Sequence, residues 1–232
     1  MKKIIKYFSD IYDWNIALHI WDDEEMVINN RKKIAKKLNK NIEDFIFMNQ
    51  VHSWKSSIVW LNDKSTWIYK IDENLSCDSI VTRDKWIVLS VMVADCIPIL
   101  FYDDVSILIW VAHAWWKWTY EKVVENTIKN MINIWSKIEN IKVVIGPCIS
   151  KNSYEVGDDV WCKFRKETKT ESSKWKQFLD LKKQNYLDLL DLGIKDYNIE
   201  IINIDTFTDN NYYSARRDWF NKWRFWGFIY IK

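Results

Sequence analysis

Glycine supplies most positive-φ turns in proteins, and this chain of 232 residues has only 4 glycines. An average soluble protein of this length has about 16 glycines. Tryptophan deviates in the opposite direction, because the chain has 16 tryptophans. Two deviations of similar size and opposite sign suggest a single cause, and they draw attention to the turns of the fold.

The rest of the composition is that of a globular protein. Hydrophobic residues make up 48% of the chain, which is enough to bury a sizeable core and argues against disorder. The 34 basic and 32 acidic residues nearly cancel, so charge predicts neither a nucleic-acid partner nor a membrane partner. The tryptophans do not alternate with basic residues, which also argues against stacking on nucleic-acid bases.

The sequence shows no signal for export or for a membrane span. No apolar run reaches the roughly 18 residues that a membrane helix requires. The basic start of the chain is interrupted by Asp10 and Asp13, so it is not a signal peptide. Four cysteines without Cys-x-x-Cys spacing are typical of reduced thiols or metal ligands, and we therefore expect a cytoplasmic protein.

Strand and helix patterns follow one another without strict alternation, which predicts an α+β fold in one domain over residues 1–232. Pro98 favours an edge or bent strand in the second half of one long apolar run. We expect helices over Glu24–Leu38, from a cap at Thr119 to Ile134, and over Phe178–Leu192 ended by Gly193. The expected strands are Phe45–Val51, Trp86–Phe101, Val105–Ala112, Ile141–Ile145, Ile199–Ile204 and Phe228–Ile231.

Three residues capable of binding a metal lie at or near strand ends. His52 and His113 each end a predicted strand, and Cys96 lies inside a third, directly after Asp95. If the fold brings them together, one cysteine and two histidines form a three-ligand zinc site with an open fourth position, as in catalytic zinc sites. Spacing alone leaves open a second interpretation, in which a buried cysteine and two unrelated polar histidines share no site.

A second cluster runs from Ser214 to Asp218 and contains Arg216 and Arg217, with Arg224 following. Lysine dominates the basic residues elsewhere, so arginine is expected to serve here for bidentate binding of phosphate or carboxylate. A salt-bridged loop is the alternative. Asp78 and Asp95 are candidate general bases, although such residues more often cap turns or helices.

Seven segments together carry a resemblance to a known family. In this order along the chain they resemble the laccase-domain family, whose members are also called polyphenol oxidase, purine nucleoside phosphorylase or peptidoglycan editing factor. The match covers nearly the whole chain. The segments are Asn49–His52, Cys77–Thr82, Val93–Pro98, Val111–Ala114, Ile145–Pro147, Tyr154–Gly157 and Tyr213–Asp218.

The family signature H-A-G-W-[RK]-G-T corresponds here to residues 113–119. Trp116 matches the tryptophan of the family, whereas Trp115 and Trp118 stand where the family has glycine. We hypothesise that most tryptophans are UGA codons that the organism reads as glycine. Each indole forced into a site without side-chain space costs about 1–3 kcal/mol, so a dozen would exceed a typical folding free energy. Four more tryptophans fall in segments where the family has glycine, namely Trp14, Trp21, Trp219 and Trp223.

The resemblance implies a layered α/β/β/α sandwich with mixed sheets, and it maps the family's metal ligands onto His52, Cys96 and His113. Zinc suits this donor set, with copper as the less favoured metal. The implied activity is phosphorolysis of adenosine, inosine, guanosine or methylthioadenosine to the free base and ribose 1-phosphate, and adenosine deamination is also attributed to the family. We expect a monomer or homodimer that binds a purine nucleoside and phosphate. The other expected site residues are Asp95 in catalysis and Arg216, Arg217, Lys117 and Ser214 in substrate or phosphate binding.

Three other functions remain open at this point. A copper-dependent phenol oxidase is disfavoured, because a multicopper site needs more histidines than the 3 present. An amidase acting on a cell-wall precursor would use zinc-activated water equally well. A non-catalytic metal-binding protein is the third alternative, and the presence of all three ligands argues weakly against it.

Overall fold

Two mixed β-sheets lie face to face, and helices cover their outer faces. The computed structural model describes residues 3–18, 20, 22–65, 75–172, 175–219 and 223–232. The expectation for Trp21 therefore lies outside the described residues. The helices of the described part are α1 (Glu24–Lys37), α2 (Trp116–Tyr120), α3 (Val123–Asn133), α4 (Asp158–Trp161) and α5 (Leu181–Asp191).

The described part of the chain contains two larger sheets and one small one. The strands are β1 (Ile4–Phe8), β2 (Phe45–Phe47), β3 (Ser56–Ile58), β4 (Ser79–Thr82), β5 (Val88–Val93), β6 (Ile97–Asp103), β7 (Leu108–Ala114), β8 (Ile141–Ile145), β9 (Glu155–Val156), β10 (Lys169–Glu171), β11 (Gln177–Leu179), β12 (Ile199–Ile201) and β13 (Phe225–Ile231). One larger sheet has the order β1-β13-β5-β2, and the other has the order β12-β8-β6-β7-β4-β3. The small sheet has the order β10-β11-β9.

The core consists of three apolar layers. Between the two larger sheets, β5 contributes Leu89 and Val91, which share a buried cluster with Leu100 and Val111 of the six-stranded sheet. Outside the four-stranded sheet, α1 buries its apolar stripe. Helices α3 and α5 cover the outer face of the six-stranded sheet. This is the layered α/β/β/α sandwich with mixed sheets that the resemblance implies.

The position of Pro98 corrects one prediction. The long apolar run forms two strands, β5 and β6, and β6 lies inside the six-stranded sheet rather than at an edge. Pro98 is tolerated there because its partner His113 donates its backbone N–H instead to the carbonyl of Asp78, the residue before β4. On the other side, pairing with β8 begins only at Ile99. The proline therefore lies where neither neighbour needs its missing N–H.

The helix expected after Thr119 is divided in two. Lys122 has φ of 62° and separates α2 from α3, so Thr119 is a buried helical residue and not a cap. Helix α5 begins later than expected, because Gln177–Leu179 pairs as a strand. Its predicted end is correct, since Gly193 follows it with φ of 95°. None of the helices in the described ranges is long and apolar enough to cross a membrane.

Candidate functional site

A cavity of about 750 Å³ opens where β5 turns into β6. Its walls include His52, Cys96 and His113, which are far apart in the chain. A volume of this size is typical of small-molecule sites. The fold therefore brings the three candidate ligands to one pocket, as the resemblance requires.

The sheet holds two of these ligands. Cys96 ends the tight turn between β5 and β6, in which Asp95 has φ of 78°. His113 is the sixth residue of β7 and is only 3% exposed. β6 and β7 are paired neighbours, and Ile97, which follows Cys96, lies opposite Ala114, which follows His113. Strand pairing therefore brings this cysteine and this histidine to the same end of the two strands.

The third ligand lies on a loop. His52 follows β2, is exposed and has φ of 60°. The loop is attached to β5 by Gln50, whose amide accepts from the backbone N of Met92 at 2.7 Å and donates to its carbonyl at 2.8 Å. The backbone N of Ser53 donates to the carboxylate of Asp78. These contacts hold His52 at the mouth of the pocket.

The donor set fits zinc in residue type, since it combines one thiol with two imidazoles. The ring centres of His52 and His113 are 5.2 Å apart. Two imidazoles bound to one tetrahedral zinc also have ring centres about 5 Å apart, given the usual Zn–N length. As the side chains are placed, no three His, Cys, Asp or Glu residues of the described ranges form a metal cluster.

Asp78 lies behind His113. Its Oδ1 is 2.8 Å from Nδ1 of His113, and the carboxylate is fully buried. Burial lowers the pKa of His113, but Cys96 and Asp78 outweigh it and raise the pKa to about 9. Burial against its neighbours lowers the pKa of His52, and the adjacent His113 lowers it further. Sequence reasoning had placed Asp78 only among candidate general bases.

Asp95 is already engaged on both carboxylate oxygens. It accepts from Thr206 Oγ1 at 2.7 Å, from Ser214 Oγ at 3.0 Å and from the backbone N of Arg216 at 2.6 Å. These bonds attach the arginine loop to the residue preceding Cys96. Asp95, a candidate general base from the sequence, is thus tied to the loop by hydrogen bonds to both of its oxygens.

The two neighbouring arginines have different environments. Arg216 lines the cavity, donates one bond to the carbonyl of Glu155 at 3.0 Å and lies over the ring of Tyr154. Arg217 directs its guanidinium away from the cavity, toward Asp218 and the carbonyls of Thr206, Phe207, Asp209 and Tyr212. All five of its N–H donors are used, so the expected phosphate contact of Arg217 is replaced by a structural role.

Of the two remaining predicted residues, Lys117 lines the cavity and Ser214 does not. Lys117 lines the cavity, with its Nζ 5.1 Å from the ring centre of Trp118. Ser214 is buried and spends its hydroxyl on Asp95 and on the backbone N of Arg217. It does not line the cavity, so a direct substrate contact is not supported.

Two further residues belong to the pocket wall. Tyr154, which the sequence marks only as part of one resemblance segment, lines the cavity, and burial, followed by the neighbouring Cys96, raises the pKa of its hydroxyl. Arg224 also lines the cavity. Burial lowers the pKa of its guanidinium, and the opposing effect of Cys96 and Asp95 is smaller. The arginine cluster already indicated Arg224 as a candidate for binding phosphate or carboxylate, whereas no pattern in the sequence assigned Tyr154 to the pocket.

Tryptophans occupy the mouth of the pocket. The ring centres of Trp115 and Trp118 are 5.6 and 6.1 Å from that of His52. Trp219 lines the same cavity and is exposed. The Nε1 atom of Trp118 is buried and has no hydrogen-bond partner. A buried indole N–H normally finds a partner, so the residue is poorly matched to its site.

Residues 8–232 match the family model described as multi-copper polyphenol oxidoreductase laccase. The chain belongs to this family. It is 32% identical over 231 residues to the Bacillus subtilis purine nucleoside phosphorylase YlmD, with 94% of this chain and 82% of the relative covered. It is also 27% identical to adenosine deaminase RL5 from an unknown prokaryotic organism, with 94% and 87% covered.

Solved structures confirm the fold. The Bacillus licheniformis hypothetical protein YfiH superposes with a TM-score of 0.92 at 28% identity, covering 99% of this chain and 93% of that one. Together with the names of the relatives, the family supports a nucleoside-processing role. The resemblance deduced from the seven sequence segments is confirmed.

Proposed function

We propose that the protein is a zinc-dependent purine nucleoside phosphorylase. It would convert adenosine, inosine, guanosine or methylthioadenosine and phosphate to the free base and ribose 1-phosphate. The observation that carries the proposal is the meeting of His52, Cys96 and His113 with the cationic side chains of Arg216 and Lys117 on one cavity. Relatives named purine nucleoside phosphorylase support the same reaction class.

The cations define the phosphate side of the proposed site. Arg216 and Arg224 line the cavity, and both lie near Cys96 and Asp95. Guanidinium groups bind phosphate oxygens through paired N–H donors. Lys117 on the helix after His113 adds a third positive charge. We assign phosphate binding to Arg216 and Arg224 and a supporting contact to Lys117.

In the proposed reaction a phosphate oxygen attacks C1′ of the ribose and the bond from C1′ to the purine nitrogen breaks. The electron pair of that bond leaves with the purine, which takes up a proton. Arg216 would hold the attacking phosphate in place, and Asp95 would hold the loop that carries Arg216. Zinc bound by His52, Cys96 and His113 would act as a Lewis acid beside these groups.

Adenosine deamination is a second candidate. It rests on the relative named adenosine deaminase and on the cysteine–histidine donor set, which suits a zinc site that activates water. An amidase would need the same chemistry, so the two are separated by substrate and not by ligands.

The test incubates zinc-loaded protein with adenosine, with and without phosphate, and identifies the products by chromatography. Adenine and ribose 1-phosphate that appear only with phosphate support phosphorolysis, whereas inosine indicates deamination. The Cys96→Ala variant is the matched negative control. Absence of a phosphate-dependent product, or a product that persists unchanged in Cys96→Ala, contradicts the proposal.

We further propose that many tryptophans stand at positions built for glycine. Trp14 has φ of 60° and ψ of −178°, a conformation that is essentially restricted to glycine. Trp135 has φ of 76° directly after the C-cap of α3, where helices often place a left-handed glycine. Trp175 has φ of 60°, and all three side chains are exposed. These positions support the hypothesis that UGA is read as glycine.

Trp115 needs a different argument, because its φ is −108° and suits any residue. Its indole instead takes up space beside His52 at the pocket mouth. Glycine at 115 and 118 would leave this side of the pocket open to substrate. Trp116 matches the tryptophan of the family and packs against the core, so we expect it to be genuine.

A further inference from the structure

We infer that Asp78 is a positioning residue that sets the two histidine ligands for metal binding. This inference rests on the zinc site of the proposed function. Asp78 does not line the cavity and is fully buried, so it acts only through the residues it holds.

The carboxylate of Asp78 reaches the segments of both histidines. One oxygen is 2.8 Å from Nδ1 of His113, and the other accepts from the backbone N of Ser53, the residue after His52. The backbone of Asp78 makes matching bonds: its carbonyl accepts from His113 N at 2.8 Å, and its N donates to Lys55 at 3.2 Å. One residue therefore links β7 to the loop of His52.

The contact also selects the form of the His113 ring. A carboxylate only accepts hydrogen bonds, so Nδ1 of His113 must carry the hydrogen that it shares with Asp78. The ring also contacts the Cys96 side chain. Nε2 is thereby left as the metal-binding nitrogen, and metal-binding histidines usually donate their other N–H to a carboxylate or carbonyl in this way.

Asp103, the last residue of β6, provides a matched comparison. It is also fully buried, and it accepts from Ser136 Oγ at 2.6 Å and from the backbone N atoms of Val105 and Ser106. Its partners form a turn and contain no candidate ligand. The Asp103→Asn variant therefore shows how much the loss of any buried carboxylate lowers zinc affinity when no candidate ligand is in contact with it.

The experiment measures the zinc dissociation constant by chelator competition for wild type, Asp78→Asn and Asp103→Asn, after thermal melting shows which variants fold. In asparagine an NH₂ group replaces one of the two carboxylate oxygens, and this group cannot accept a hydrogen bond. The variant therefore loses the bond either to Ser53 or to His113. We expect zinc affinity to fall about 10–100-fold in Asp78→Asn and to stay within about twofold of wild type in Asp103→Asn. Equal affinities for Asp78→Asn and wild type, or an equal fall in Asp103→Asn, would overturn the inference.

A second measurement does not depend on a variant. Long-range ¹H–¹⁵N NMR of the zinc-loaded wild type reports which nitrogen of each histidine carries hydrogen. The inference requires hydrogen on Nδ1 of His113, and hydrogen on Nε2 overturns it. A wild-type protein that binds no zinc overturns both this inference and the zinc part of the proposed function, whereas unchanged affinity in Asp78→Asn overturns the inference alone.

Discussion

The pocket has two halves that are built differently. Its sheet half consists of Cys96 and His113, fixed by the pairing of β6 and β7 and supported by Asp78. Its loop half consists of His52 and Arg216 on loops, with Trp115 and Trp219 beside them and Trp118 on α2. His113 is buried, whereas His52 is exposed. The sheet half follows from strand pairing, but the loop half depends on loop segments.

Poorly matched tryptophans also occur beyond the pocket. Two other tryptophans, Trp161 and Trp226, have buried Nε1 atoms without a hydrogen-bond partner, as Trp118 does. Leaving a buried donor unpaired costs about 1–3 kcal/mol. Trp226 lies in β13 and Trp161 in α4, so unpaired indoles occur in both sheet and helix. Together with the glycine-type backbone of Trp14, they indicate that tryptophan is poorly matched to several sites of this fold.

The largest expected effect concerns the sheet half. Cys96→Ala removes the only thiol among the proposed ligands, so we expect loss of bound zinc and a fall in phosphorolysis of more than about 100-fold, the upper range for residues that merely support a ligand. Zinc content and ribose 1-phosphate formation measure this. Cys162→Ala is the matched control, because Cys162 is exposed and does not line the cavity. Activity retained in Cys96→Ala would remove the sheet half from catalysis.

The next effect separates the two arginines of the loop half. Arg216→Ala loses a charged donor at the cavity, worth about 1.5–3 kcal/mol, so the KM for phosphate should rise about 10–100-fold with the melting temperature unchanged. Arg217→Ala instead breaks the bonds to Asp218 and the loop carbonyls, so it should lower the melting temperature. Steady-state kinetics with varied phosphate and thermal melting measure these effects. A raised KM for phosphate in Arg217→Ala together with a lowered melting temperature in Arg216→Ala would contradict the assignment.

A smaller effect is expected at Asp95. Asparagine tolerates the positive φ at this position but cannot accept all three hydrogen bonds of the carboxylate. Asp95→Asn should raise the KM for phosphate about tenfold, the equivalent of one lost bond, and leave the zinc dissociation constant unchanged. A variant with weaker zinc binding and normal phosphate KM would place Asp95 in the sheet half instead.

The smallest effect is one of stability alone. Trp14→Gly relieves a backbone conformation that costs about 1–3 kcal/mol in other residues, so the free energy of unfolding should rise by about that amount. Trp116→Gly is the comparison, because Trp116 packs against the core and its loss should destabilise the fold. Urea unfolding measures both. A fall in stability for Trp14→Gly would argue that its tryptophan is native.

The sheet half was predictable from the sequence, and the loop half was only partly so. Apolar runs marked the strand that carries His113, and Gly193 marked the end of α5. The prediction that Cys96 lies inside a strand was wrong, because the run is divided by a turn that contains Cys96. The edge position inferred from Pro98 was wrong, because sequence does not show where a neighbouring strand stops or which way a partner's N–H points. Lys122 breaks a helix that periodicity alone predicts as continuous.

Side-chain roles in the site were harder to predict than its ligands. Arg216 and Arg217 are adjacent and chemically identical, yet only the fold shows that one faces the cavity and the other is saturated by loop carbonyls. Tyr154 and Asp78 reach the site through packing between distant segments, which leaves no local pattern. The family resemblance supplied the candidate ligands, and the tertiary structure supplied the contacts around them.

The contrast between the two halves rests on the claim that the loop half is built for glycine. Peptide mass spectrometry of the protein purified from its own organism tests this directly across residues 113–119. We predict glycine at positions 115 and 118 and tryptophan at 116. Tryptophan at all three positions would contradict the claim and make the indoles beside His52 a genuine part of the pocket.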